Sequence, residues 1–274
     1  MSDPSGISVL RFEDVTVTFD GVAALSNVSF QAFEGESRAI LGAAGSGKTV
    51  LLKAALGLVK PDSGRIYAFG QELTAMREKD LFDVRARMGM LFQESALFDS
   101  LTIEENVAYP LRNQKTVKCP KQEVHLRVAQ ALDFVELGGT LEKFPSELSG
   151  GMRRRAAIAR AVVTAPPLIL YDSPTAGLDP ITAHTIMALL IKERDMAKTT
   201  TLMVTYRYQD GNLMANFRYN SEQGRLELAR HGGGQDLSTT FMVLQEGRLI
   251  FEGGQELLEA STDPYISRFV KRRN

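Results

Sequence analysis

The sequence predicts an α/β fold, a mixed β core that carries a helical subdomain, within one domain spanning residues 1–274. Three observations predict it. Short apolar runs of strand character occupy the first ninety residues, a helix-rich segment fills 95–165, and strand and helix alternate again beyond Pro166-Pro167. With 44% hydrophobic and 24% charged residues in a chain of 274, a sizeable core can be buried. The formal net charge of −1 gives no electrostatic case for binding nucleic acid or an anionic membrane. Cys119 is the only cysteine, which excludes an internal disulfide and fits a reducing compartment. Residues 1–6 lack the basic start and apolar stretch of a secretory leader. No uncharged apolar run approaches the ~18–20 residues of a spanning helix, so work at a membrane would need another chain for attachment.

Taken in order, residues 9–19 and 28–33 alternate apolar and polar positions around a turn at Asp20-Gly21, which predicts strands. Ala39-Ile40-Leu41 reads as a buried strand, and 50–56 as a helix ended by Gly57. Pro61-Asp62-Ser63-Gly64 is a turn, 65–69 a strand closed by Gly70, and 74–87 a charged helical stretch. A buried strand over 88–92 ends at Gln93. Helices are expected over 104–111, 122–136 and 150–164, stopped by Pro166-Pro167. Leu168-Ile169-Leu170-Tyr171 is a fully apolar strand ending at Asp172, followed by a helix over 182–196 and a strand over 200–205. The α/β core is therefore assigned to 1–93 and 166–254, the helical subdomain to 94–165, and a tail to 255–274.

Between the strand at 39–41 and the helix at 50–56 lies Gly42-Ala43-Ala44-Gly45-Ser46-Gly47-Lys48-Thr49, which reads G-x-x-x-x-G-K-T followed by Val50. This is a phosphate-binding loop in the strand–loop–helix context it requires. Its glycines let backbone N–H groups turn inward, and the helix N-terminus adds partial positive charge at the same spot. Lys48 is expected to reach the β- and γ-phosphates and Thr49 to ligate Mg²⁺. A second carboxylate near the metal is needed, and Asp172, at the end of a buried strand, supplies one. An aspartate after four apolar residues also suits plain turn chemistry. Glu147-Leu148-Ser149-Gly150-Gly151-Met152 places serine where it would cap a helix and create another anion site.

With these residues in view, the chain resembles the ABC transporter ATPases, whose signature is L-S-G-G and a variable residue. The resemblance covers roughly 9–206 and resumes at 241–253. It implies a P-loop NTPase, an ABC-type nucleotide-binding domain, with ATP and Mg²⁺ as ligands. It implies that Ser149, Gly150 and Gly151 face the γ-phosphate held by the opposite subunit, that Gln93 contacts Mg²⁺ and the attacking water, and that Phe19 stacks on adenine. Asp179, within Ala176-Gly177-Leu178-Asp179-Pro180, falls in the loop that crosses the dimer interface. Two passages, Gly89-Met90-Leu91-Phe92-Gln93 with 96–102 and Gly151-Met152-Arg153-Arg154-Arg155, look like the Mla/Mkl-type ATPases. That subfamily partners lipid-transport permeases and MCE-domain proteins. The metal set carried over is Thr49, Gln93 and Asp172.

Two positions depart from the family. A catalytic glutamate belongs directly after Asp172, where this chain has Ser173, and a histidine belongs after Thr205, where it has Tyr206. Serine cannot accept a proton near neutral pH, and general-base assistance is worth about 10²–10⁴-fold. The expectation is an ATP-binding subunit for phospholipid or another hydrophobic solute that hydrolyses slowly. Alternatives are a regulatory pseudo-ATPase and the degenerate half of an asymmetric pair. The chain would work as a homodimer or as a heterodimer with another ATPase, be cytoplasmic, and lie on the inner face of the cell membrane through its permease. Residues 207–240 form an atypical insertion rich in Asn and Gly in place of the family's helix, with a hairpin expected from Phe217-Arg218-Tyr219 and 225–228. His231 reads as a loop residue and Lys271-Arg272-Arg273 as a solvated basic end.

Overall fold

The computed structural model describes residues 6–114, 116–229 and 239–270. His231, Gly232-Gly233-Gly234 and Lys271-Arg272-Arg273 lie outside the described residues. In chain order the elements are β1 (Ser8–Phe19), β2 (Val22–Phe33), β3 (Ser37–Leu41), α1 (Lys48–Ala55), β4 (Ser63–Ala68), β5 (Gln71–Glu72), α2 (Glu78–Arg85) and β6 (Met88–Leu91). Three helices follow, α3 (Ile103–Asn113), α4 (Lys121–Phe134) and α5 (Gly150–Val162). The chain then runs through β7 (Leu168–Asp172), α6 (Pro180–Ala197), β8 (Thr200–Thr205), α7 (Tyr208–Asn216), β9 (Phe217–Asn220) and β10 (Arg225–Leu228). It closes with β11 (Thr239–Gln245), β12 (Arg248–Gly253), α8 (Gln255–Glu259) and α9 (Pro264–Val270).

Six strands form the central sheet in the order β12-β11-β3-β8-β7-β6, parallel except for the antiparallel edge strand β12. A second, antiparallel sheet has the order β2-β1-β4-β5. The central strands read as unbroken apolar runs because both of their faces are covered. Side chains alternate between two cores with the strand period of two. Ala39, Leu41, Ile169, Tyr171, Met203, Phe241 and Val243 point into a core shared with α3–α7. Ile40, Leu168, Leu170, Leu202, Val204, Met242 and Leu244 point into one shared with α1 and the antiparallel sheet.

Helix starts follow local chemistry. Thr102 and Glu105 form a reciprocal cap on α3, the Glu105 N–H donating to Thr102 Oγ1 at 3.2 Å and the Thr102 N–H to Glu105 Oε2 at 2.8 Å. Asp179 caps α6 just ahead of Pro180, accepting from the N–H groups of Ile181 and Thr182 at 3.1 and 3.0 Å. The charged stretch expected over 74–87 is shorter as an α-helix. Leu73–Ala75 is a 3₁₀ turn and Met76 is extended, so α2 begins at Glu78.

A helix follows Thr205, which the Asn- and Gly-rich sequence from 207 onward does not lead one to expect. Gly211, unfavourable for helix by propensity, is what lets α7 dock, since a Cβ there would lie 2.6 Å from the Phe241 ring. From Phe217, β9 and β10 pair antiparallel as a hairpin. Two adjacent residues of α6 hold it. Arg194, with no exposed surface, donates to the carbonyl oxygens of Met214 and, at 2.8 Å, Phe217. Its Nε donates to Asp195 Oδ1 at 2.7 Å, and Asp195 Oδ2 accepts from the Tyr219 N–H at 2.7 Å. The segment after 254 likewise contains α8 and α9, which bury Leu258 and Ile266 against the core.

Removing the cation from such a buried cluster strands its acceptors. Arg194→Leu is expected to lower the unfolding free energy by about 3 kcal/mol, measured by urea denaturation, and to expose the 221–224 turn to limited proteolysis.

Candidate functional site

Three neighbouring parallel strands end at one level. Leu41 of β3 lies opposite Thr205 of β8, and Asp172 of β7 lies opposite Val204. Gly42, Tyr206 and Ser173 therefore leave the sheet side by side, at its carboxyl edge, where ligands bind in open α/β sheets. The loop from Gly42 turns directly into α1, whose first residue is Lys48. Gly47, at φ 101°, is required twice over. Its φ suits only glycine, and a Cβ would stand 2.2 Å from the Ala24 carbonyl oxygen. That contact brings the β1–β2 hairpin against the loop. The half-exposed Phe19 sits at its tip, paired with Val22.

Lys48 is buried, and its Nζ donates to the loop's own carbonyls, to Gly42 O at 2.8 Å and Ala43 O at 2.7 Å. Burial pulls its pKa below the ordinary lysine value, while the charge of Asp172 opposes that shift. Those carbonyls stand in for the anionic oxygens a bound phosphate would present. Thr49 Oγ1 donates to Asp172 Oδ2 at 2.8 Å. These two hard oxygen donors, one from the loop helix and one from a buried strand end, suit Mg²⁺.

Ser173 sits next to this pair at φ 48°, buried, with its hydroxyl donating to Asp172 Oδ1 at 3.1 Å. Its side chain is thus committed to the neighbouring carboxylate. Tyr206 is half exposed at the end of β8. Gln93 is exposed, and its main-chain carbonyl, with that of Phe92, accepts from Arg154.

Ser149, Gly150 and Gly151 occupy a different face. Ser149 Oγ accepts from the Met152 N–H at 3.2 Å and caps α5. With Arg155, Asp179 and Thr182 they line an open cleft of about 620 Å³. Among the described residues, no hydrogen bond joins Ser149, Gly150 or Gly151 to the 42–49 loop. The structure therefore gathers Gly42 through Val50, Asp172, Ser173 and Tyr206 around one edge, sets the hairpin that carries Phe19 against Gly47, and places Ser149–Gly151 with Asp179 around another edge, while no hydrogen bond among the described residues joins Gln93 to Thr49 or Asp172.

Four functional neighbours escape sequence reasoning. Arg154 and Arg160 of α5 hold the segment after β6. Arg160 donates to Ser95 O at 2.8 Å and Ala96 O at 2.7 Å, and Arg154 reaches Ala176 O at 3.4 Å besides Phe92 and Gln93. Burial lowers the pKa of both arginines, and the charges of Glu94 and Asp172 counter this at Arg154. Tyr265 of α9 accepts from the Ala43 N–H at 3.0 Å and donates to Leu244 O at 3.3 Å, which ties the C-terminal helix to the phosphate loop. Asp210 of α7 is the fourth. Each is joined to at least one group distant in sequence, which short-range pattern does not reveal.

Known proteins resemble this chain in sequence and in fold. The family model described as ABC transporter matches residues 25–176. The chain is 33% identical over 268 residues to the intermembrane phospholipid transport system ATP-binding protein MlaF of Escherichia coli (strain K12), covering 98% of this chain and 90% of that protein. It is 32% identical over 270 residues to the probable ribonucleotide transport ATP-binding protein mkl of Mycobacterium leprae (strain TN), covering 98% of this chain and 70% of that one. Among solved structures, a dimeric post-hydrolysis ATP-binding cassette bound to ADP and Pi superposes with a TM-score of 0.74 at 29% identity, over 89% of this chain and 98% of that one. A Clostridium perfringens protein that is part of the ABC transporter complex cbiONQ superposes with a TM-score of 0.75 at 28% identity, over 97% and 95%.

Lys48→Ala removes the loop's only ammonium. A hydrogen bond to a charged group is worth about 1.5–3 kcal/mol, so affinity for a nucleoside triphosphate is expected to fall roughly ten- to a hundredfold, measured by calorimetric titration, with the fold intact.

Proposed function

The chain belongs to the ABC transporter family, and from that premise we propose that it is the Mg-ATP-binding subunit of a transporter for phospholipid or another hydrophobic solute, with weak hydrolysis of its own. The observation that carries the reading is the meeting of Thr49 and Asp172 beside a serine whose hydroxyl donates to Asp172. Lys48 stands in the same loop, and Gly45 and Gly47 take the positive φ that lets a loop turn its N–H groups inward, which supports phosphate binding there. Ser173 offers no proton acceptor at the position that faces the attacking water in the family, and Tyr206 offers a hydroxyl where the family has imidazole. Mg²⁺, bound with the nucleotide, would neutralise phosphate charge.

The two-edged layout supports a dimer. The Ser149–Gly151 edge has an anion-binding helix start and an open cleft, with no tie to the phosphate loop of its own chain. A second subunit would supply the triphosphate, and ATP would be held between a phosphate loop and a partner's signature segment. Among the described residues no helix is long and apolar enough to cross a membrane. A separate permease would therefore provide the path, with this chain peripheral to the inner face of the membrane. The exposed aromatic pair Phe98 and Tyr109, ring centroids 4.8 Å apart, gives such a partner an apolar foothold. An MCE-domain protein completes the assembly in this reading.

The intact Ser149–Gly151 edge also favours a second arrangement, in which this chain completes the active site of a different ATPase while its own stays silent. Steady-state turnover of Mg-ATP separates the readings. The chain alone is expected to turn over slowly, and Ser173→Glu to raise the rate by about 10²–10⁴-fold, further supported by Tyr206→His. Fast turnover that Ser173→Glu leaves unchanged would overturn the weak-hydrolysis proposal.

A further inference from the structure

Asp210 stands behind the edge of the sheet that carries Ser173 and Tyr206. It is 1% exposed, and its Oδ2 accepts two hydroxyl hydrogen bonds, from Thr175 Oγ1 at 2.7 Å and from Thr205 Oγ1 at 2.7 Å. Thr175 and Thr205 are themselves buried, at 0% and 1% exposure. Thr175 lies two residues beyond Ser173, in the turn closed by the Ala176 N–H donating to Ser173 O at 3.0 Å. Thr205 directly precedes Tyr206, and its hydroxyl oxygen also accepts from the Arg207 N–H at 3.0 Å, which fixes the backbone on both sides of Tyr206. Arg207 faces the other carboxylate oxygen of Asp210 at 3.7 Å.

We infer that Asp210 is a positioning residue, one that sets the placement of the 173–176 turn and the 205–207 turn relative to each other and so aims positions 173 and 206 at the γ-phosphate. That aim rests on the nucleotide reading given above. The coupling between the two turns does not. The main-chain tie at this edge, Ser173 N–H to Val204 O at 2.8 Å, joins the first residue of the 173–176 turn to β8 and continues the sheet register. Beyond it, among the described residues, the hydrogen bonds that link the two turns pass through the single oxygen of Asp210. With that oxygen removed, both buried hydroxyls lose the partner they donate to. Asp210 is anchored in turn by the docking of α7, where Gly211 packs against Phe241 and Asp210 N–H donates to Arg207 O at 3.2 Å. Movement of α7 therefore displaces both turns together. Position 206 then senses a change at Thr175, a residue that no hydrogen bond joins to it directly among the described residues.

The chain contains no tryptophan, so a Y206W reporter gives one clean emission signal. In that background Thr175→Val is expected to shift the emission maximum and lower the anisotropy at position 206 without nucleotide, Thr175→Ser to restore both, and Asp210→Ala, which removes the shared acceptor, to reproduce the effect. Adding Thr175→Val to Asp210→Ala is expected to change nothing more. A structural role alone would lower the thermal midpoint and leave the emission at position 206 untouched below it. An unchanged signal in Thr175→Val, or an equal change in the Asp210→Ala background, would overturn the inference. Should Asp210→Ala fail to fold, the Thr175→Val and Thr175→Ser pair decides alone. Titration of the same reporter with Mg-ATP tests the nucleotide reading separately, since a silent titration beside an intact Thr175 coupling would count against that reading only.

Discussion

β3, β8 and β7 run parallel and finish at the same height, and the rest of the site follows from that register. A parallel sheet covered on both faces cannot slip by one residue without turning a whole side-chain set into the wrong core. The alternation of Ala39, Leu41, Met203 and Tyr171 against Ile40, Leu202, Val204 and Leu170 fixes the three strands relative to one another. The strand ends are fixed with them. The phosphate loop, the Asp172–Ser173 step and Tyr206 meet because their strands stop together, and the 2.8 Å bond from Thr49 to Asp172 records how closely they meet.

Around that edge the molecule has spent its polar side chains on holding loops. Arg154 and Arg160 hold the segment after β6, Asp210 holds the turns after β7 and β8, and Tyr265 holds Ala43 in the phosphate loop. Each loop that borders the site is thereby tied to a helix outside it. α5, α7 and α9 can displace those loops without touching a ligand. This is the arrangement a transport subunit needs when nucleotide and partner act on each other at a distance. Ser173 belongs to the same economy, because its hydroxyl braces Asp172 where the family places a free carboxylate.

Much of this was legible in the chain itself. The strand–loop–helix at 39–56 was readable because glycine, lysine and threonine at those spacings have one chemical use. The strand ending at Asp172 was readable from its uninterrupted apolar run. The hairpin at 217–228 was readable from its turn residues. Helix α7 was hidden, since Gly211 and the asparagines around it argue against helix locally and only its packing on Phe241 makes it form. Arg154, Arg160, Asp210 and Tyr265 were hidden for a related reason. Each has a partner far off in sequence, 61, 65, 35 and 222 residues away respectively, and short-range pattern carries no information about such a pairing.

In the proposed reading, two copies of this chain capture Mg-ATP between them and hydrolyse it slowly. The most direct measurement is sedimentation of the purified chain with Mg-ATP, followed by identification of the nucleotide recovered in each species. The account predicts a dimer that carries unhydrolysed ATP and persists after free nucleotide is removed. A monomer carrying ATP would contradict the shared site, and a dimer recovered promptly with ADP would contradict the weak hydrolysis proposed at Ser173.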